Sequence, residues 1–149
     1  MSEFKRPLSV LVVIHTPALD VLMLERAKHP GYWQSVTGSC EPGEELRETA
    51  LREVWEETGI EAGPESLRDW RRSNRYTILP EWRHRYGPKV FENLEHVFSL
   101  ELPEKMPIRL APEEHRSHCW LPWEAAARQC FSWSNRDAIL GLPYRSSAN

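Results

Sequence analysis

The sequence predicts an α/β domain in which helices cover both faces of a mixed sheet, an α/β/α sandwich. Three observations carry this. Leu8 to His15 is rich in Val, Leu and Ile, and Val21 to Leu24 is a second short apolar run beyond the turn-like Thr16 to Asp20, so both read as strands. Glu44 to Glu57 contains no Pro or Gly, and Leu46, Ala50, Leu51 and Val54 recur at helical spacing until Gly59 stops the run, which predicts an amphipathic helix. Past that helix, extended and helical patterns alternate, and such alternation is what helices packed on a mixed sheet require.

In chain order, Arg75 to Leu79 and Val90 to Leu102 read as extended, and Ile108 to Leu110 and Cys119 to Leu121 as short strands. Pro122 to Cys130 and Asn135 to Leu142 read as helices. No repeat, low-complexity tract or linker divides the chain, so residues 1–149 are expected to form one domain, a usual size for one core.

Composition narrows the function. Hydrophobic residues are 40% and charged residues 28% of the chain, which fits neither a disordered nor a membrane protein. The longest apolar stretch, Pro7 to Ile14, falls far short of the roughly 18 residues of a membrane span. Cys40, Cys119 and Cys130 are odd in number, widely spaced and outside any CxxC pair, which suits a reducing cytoplasm and supports neither disulfides nor zinc. A net charge of -3 speaks against general nucleic-acid binding, so any anion site must be local.

The chemistry is concentrated between Gly38 and Ile60, GSCEPGEELRETALREVWEETGI. At about 100° per residue, Glu53, Glu56 and Glu57 fall within one arc of roughly 100° beside the apolar stripe. Like charges at these spacings repel, by about 0.2–0.5 kcal/mol per pair on an isolated helix, and partial burial deepens the conflict. A divalent cation relieves it, and carboxylate oxygens suit the hard ion Mg²⁺, with Mn²⁺ as a substitute. Glu44 lies at the helix start, where exposed N–H groups favour a carboxylate, and is read as structural. His115 and His118 lack the second ligand pair that a zinc site requires.

The same segment matches the Nudix box without a departure: Gly38, Glu44, Arg52, Glu53, apolar Val54, Glu56, Glu57, Gly59 and apolar Ile60 at the family's spacing. The probability of a chance match is on the order of 10⁻⁸ at average residue usage, so the chain is identified as resembling the Nudix hydrolases. The resemblance implies the Nudix fold, magnesium-dependent hydrolysis of a diphosphate bond, Glu53, Glu56 and Glu57 as metal ligands, the Gly38 carbonyl as a further ligand, and Arg52 orienting a carboxylate.

The resemblance extends along most of the chain to one branch of that family, the dihydroneopterin triphosphate pyrophosphohydrolases of folate biosynthesis. Its stretches here are KRPLSVLVVI from Lys5, VLMLER ending at Arg26, WQSVTGS containing Thr37, RHRYGP from Arg83, EHxxxxWL beginning at Glu114, and SWSNR from Ser132. The resemblance implies substrate contacts at Lys5, Arg26, Thr37 and Ser132, and at Tyr76, Thr77, Ile78 and Leu79, which match by position rather than by identity. It also implies that Glu114 is a further metal ligand or proton acceptor.

The stretch from Arg68 to Tyr86 carries Arg68, Arg71, Arg72, Arg75, Arg83 and Arg85 interleaved with Trp70, Tyr76, Trp82 and Tyr86. It could clamp phosphates and stack a flat ring, or serve a protein or single-stranded nucleic-acid interface. Two other functions remain open at this point: sanitation of nucleoside triphosphate pools by the same box, and a nucleotide-binding domain without catalysis. The intact glutamate set speaks against the second. A small-molecule pterin or nucleoside triphosphate is the expected partner, with neither membrane nor nucleic acid; oligomeric state is not legible.

Overall fold

The computed structural model describes residues 4–146; the ends of the expected 1–149 domain lie outside the described residues. Its first strand, β1 (Leu8–His15), is apolar at nearly every position because both of its faces are covered. Val10, Val12 and Ile14 enter one core and Leu11 and Val13 the other, on opposite sides of the pleat. β2 (Asp20–Arg26), β3 (Trp33–Gln34) and β4 (Val36–Ser39) follow. After the helix α1 (Leu46–Thr58) come β5 (Leu67–Thr77), β6 (Glu92–Glu101), β7 (His115–Pro122), α2 (Trp123–Gln129) and α3 (Trp133–Ser146).

β1 is the hub of the sheet. It pairs in parallel with β6 from Leu8↔Leu94 to His15↔Glu101 and antiparallel with β4 and, at His15↔Val21, with β2. β5 extends the sheet beyond β6, while β3 and β7 both pair with β2. Ala50 and Val54 of α1 seal the first core with Phe98 and Leu100; Ala126 and Ala127 of α2 and Ala138, Ile139 and Leu142 of α3 seal the second around Trp70 and Val97. The α/β/α sandwich expected from the sequence is the one observed. Among the described residues, no helix is long and apolar enough to cross a membrane.

α1 begins and ends for local reasons. The Glu48 carboxylate accepts the Glu45 N–H at 2.8 Å at its start. At its end Gly59 adopts φ +76°, the left-handed conformation that closes a helix, and donates to Trp55 O at 2.9 Å.

The structure corrects three sequence expectations. Ile108 to Leu110 is not a strand: Arg109 N–H bonds the Thr58 carbonyl at 2.8 Å, so the segment caps the end of α1, and Ile108 and Leu110 pack, partly buried, against the first core. The strand expected from Arg75 to Leu79 begins far earlier, at Leu67, and stops at Thr77 because Pro80 opens a short 3₁₀ turn, Pro80–Arg85. The Arg68 to Tyr86 stretch is not one surface. Trp70 is buried in the second core with its indole N–H on Ser99, and a bulge between Asp69 and Ser73, with Arg71 at φ +53°, divides the strand. Only its distal part, with Arg75, Tyr76, Trp82, Arg85 and Tyr86, reaches the cavity described next.

Candidate active site

α1 sets its acidic edge against β4. Glu53 and Glu57 are buried, although ionised carboxylates seldom are without a partner. Gly38 makes room for them: a Cβ at that position would overlap the Glu53 carboxyl group. Glu53 and Glu57 hydrogen-bond each other, and Glu57 also bonds the Thr37 backbone. Burial above all pushes both carboxyls up; the neighbouring charges of Glu56 and Glu114 add to it at Glu53, and the charge of Glu53 adds to it at Glu57, which lies well above the carboxylate range. Glu57 Oε1 is buried with no hydrogen-bond partner.

Arg52 holds the rest of the edge. Its guanidinium donates to Glu44 at 2.7 and 3.0 Å, to Glu53 at 3.0 Å, to Glu56 at 3.2 Å and to the Ser39 carbonyl at 3.1 Å. Glu44 in turn accepts from the Thr49 hydroxyl and the Glu41 N–H, and the Arg52 contact above all lowers it to about 2. Glu44 therefore ties the loop before α1 to Arg52, while Glu56, half-exposed, turns toward Arg52 rather than toward Glu57.

The loop before β7 completes the cluster. Ligand atoms of Glu57, Glu114 and His115 lie within 4.8 Å of one another, with Glu114 exposed and the other two buried. His115 Nε2 lies 3.1 Å from the Gln34 amide nitrogen, and Gln34 Oε1 accepts from Arg26 at 3.4 Å. Nε2 thus accepts, the proton sits on Nδ1, and Nδ1 faces Glu57 Oε1 across 3.9 Å. Burial lowers His115 to about 4, so the ring is neutral. The group suits a divalent cation: the buried, unsatisfied Glu57 Oε1, with the Glu114 carboxylate within reach and Glu53 hydrogen-bonded to Glu57, offers hard oxygen donors.

Cation affinity should consequently fall as pH falls. The two raised carboxyls must lose their protons to act as ligands, so below their folded pKa values each displaced proton costs up to about tenfold in affinity per pH unit. Calorimetric titration of Mn²⁺ between about pH 6 and 8 tests this, and a flat profile would count against a site built on Glu53 and Glu57.

Beyond β4 opens a cavity of about 550 Å³, of a size that takes small-molecule ligands. Lys5, Arg26, Thr37, Tyr76, Thr77, Ile78, Leu79 and Ser132, which the sequence places far apart, all line it, as does Gly38. A bulge at Glu25/Arg26 turns Arg26 inward, where its guanidinium lies 4.9 Å from the Trp82 ring centroid and its Nε is buried without a partner. Lys5 is fixed through its backbone, bridged to Tyr86 and bonded to the Arg85 carbonyl at 2.7 Å. Trp82 and Phe131 line the wall and belong to an aromatic cluster with His29 and Tyr32. The Ser132 hydroxyl accepts the Asn135 N–H at 3.3 Å and so also caps α3.

Several residues here escaped the sequence reading. Asn135 bolts α3 to the β3–β4 link, accepting the Ser35 N–H at 2.7 Å and donating to Ser35 Oγ at 3.0 Å. Gln34 joins Arg26 to His115. Asn93 and Glu95 form the polar floor of the cavity, and their only sequence signal was alternation with Val97 and Ser99 along β6.

An α/β/α sandwich with a buried glutamate pair on its first helix, facing a glycine of the neighbouring strand, defines a Nudix hydrolase. Residues 5–141 match the NUDIX domain, and the chain belongs to that family. Dihydroneopterin triphosphate diphosphatase of Escherichia coli K12 is 45% identical over 139 residues, 91% of each chain. The protein of that name from Haemophilus influenzae is 37% identical over 142 residues, 93% of this chain and 89% of the other. The solved structure of the E. coli dihydroneopterin triphosphate pyrophosphohydrolase superposes with a TM-score of 0.89 at 43% identity, covering 97% of this chain and 99% of that one.

Proposed function

We propose that this Nudix hydrolase splits dihydroneopterin triphosphate into dihydroneopterin monophosphate and pyrophosphate, with Mg²⁺ as its cation and Mn²⁺ able to replace it. The observation that carries this reading is the junction of two differently equipped halves of one site: an acidic edge around Glu57, and a cavity with cationic and aromatic walls that is continuous with it at Gly38. The high identity to the two diphosphatases over nearly their whole length supports the same choice.

Each residue has a task in this reading. Glu53, Glu56, Glu57, Glu114 and the Gly38 carbonyl would hold the cation, which when bound would polarise phosphoryl oxygens and acidify water. Arg52 positions Glu53 and Glu56. Lys5 and Arg26 neutralise the polyphosphate, for which the unpartnered Arg26 Nε is a ready donor. Thr37 and Ser132 offer hydroxyls, while Tyr76 to Leu79 and Trp82 enclose the ring. Water forms a bond to the α- or the β-phosphorus, the bond from that phosphorus to the oxygen bridging the two breaks to leave monophosphate and pyrophosphate, and Glu114, an exposed carboxylate of the set, takes the proton.

The test is a panel of kcat/KM values under one Mg²⁺ concentration for dihydroneopterin triphosphate, dGTP, dATP and 8-oxo-dGTP. The pterin should lead, with pyrophosphate as the first product and ¹⁸O from labelled water in only one of the two products. A purine turned over more efficiently would move the chain to nucleotide-pool sanitation, and orthophosphate as the first product would defeat the assigned bond.

A further inference from the structure

The floor of the cavity holds a carboxylate that the hydrolytic step does not use. Glu95 lies on β6, paired with Ser9 of β1 and with Asn74 of β5, so these three side chains share the face of the sheet that α3 covers. It is 4% exposed, yet it lines the cavity, and its Oε1 has no hydrogen-bond partner. Two residues back on the same face, Asn93 is held by its amide nitrogen, which donates to Ser9 Oγ at 2.7 Å and to the Tyr76 hydroxyl at 3.0 Å. Asn93 Oδ1 is likewise buried and unpaired. The cavity lining therefore presents two anchored acceptors without partners, while the unpaired donor beside them, Asn74 Nδ2, belongs to a residue that does not line the cavity.

Leaving such atoms unpaired is costly, which makes a ligand edge rich in donors their natural complement. We propose that Glu95, assisted by Asn93, is the residue that selects the ring: its carboxylate accepts the adjacent N3–H and 2-amino groups of a 2-amino-4-oxo heterocycle. This inference rests on the pterin reading above but is narrower, since guanine carries the same edge and adenine does not. An adenine ring would turn its N1 lone pair toward the carboxylate and leave Oε1 unsatisfied. Hydrogen bonding between Glu95 and the Ser134 hydroxyl fixes one side of the carboxyl group and ties it to the first turn of α3. Burial pushes Glu95 up to about 7, so near neutrality the group can ionise when donors arrive. Ser9, Asn74, Asn93 and Ser134 lie around it as neutral groups, and the Tyr76 and Tyr86 phenols of the same cavity are near enough to be affected by its charge.

The experiment compares wild type with Glu95→Gln and with Glu95→Leu, which preserves side-chain volume without acceptors, under saturating Mg²⁺. The readouts are two ratios of kcat/KM, dihydroneopterin triphosphate over dATP and dGTP over dATP. Both ratios should collapse by about tenfold or more, carried by KM, because a site built to bond an edge loses its discrimination when the partner is removed. Both variants lose a buried carboxylate and should melt no lower than wild type; if one fails to fold, the other decides. Unchanged ratios would overturn the assignment. A wild type that prefers dATP to the pterin would defeat the proposed substrate, while the dGTP-to-dATP ratio would still judge Glu95.

Discussion

Glu57→Gln should lower kcat by about 100-fold or more and, in the metal-free chain, raise the melting temperature. The two effects share one cause. Glu57 is buried, shares a hydrogen bond with Glu53, and keeps an oxygen with no partner, so its ionised form is costly in the absence of a cation. An amide of the same shape removes that cost together with the ligand charge. The sign follows from linkage: a carboxyl whose folded pKa is raised contributes stability below its unfolded value and loses it as pH rises through the folded one. The gain from Glu57→Gln should therefore be largest at neutral and alkaline pH. Glu53→Gln should act in the same direction. Calorimetric melting with and without Mg²⁺, beside steady-state rates, checks both halves; a variant that kept near-normal Mg²⁺-dependent turnover would sink the assignment.

Gly38→Ala should cost about 10- to 100-fold in kcat while shifting stability by less than about 1 kcal/mol. The methyl group would occupy the place of the Glu53 carboxyl carbon, the far end of a flexible side chain that can rotate aside. The fold yields cheaply, and the geometry of the ligand set does not. Mn²⁺ affinity should weaken in step with kcat. Wild-type affinity in a folded Gly38→Ala protein would show that Glu53 need not lie against this strand.

Legibility in the sequence followed the physical strength of each signal. α1 was evident because one helix carries its apolar stripe, its stop and its acidic edge within a single window, and β1 because burial on both faces makes it continuously apolar. β5 was hidden from Leu67 to Asn74 because it is an edge strand with mostly polar, exposed side chains and an interrupting bulge, so alternation never builds up. The cavity was legible only as separate stretches: nothing local says that Lys5 will be bridged to Tyr86, or that Asn135 will reach Ser35. Glu95 was the hardest to find. A glutamate in an alternating strand reads as solvent-facing, and only the arrival of α3 over that face buries it.

The parallel pairing of β1 with β6 has a consequence for how the enzyme comes into being. It joins Leu8 to Leu94, so the strand that anchors β4, and with it the glycine against α1, meets its partner only after the box helix and the long β5 have been synthesised. Closing so wide a loop is slow compared with forming a helix. During folding α1 can form early, but its carboxylates acquire a wall late, in the same event that encloses the cavity. Cation binding then becomes a report on completed topology, and amide exchange along β1 and β6 should slow only at the stage when Mn²⁺ is first retained.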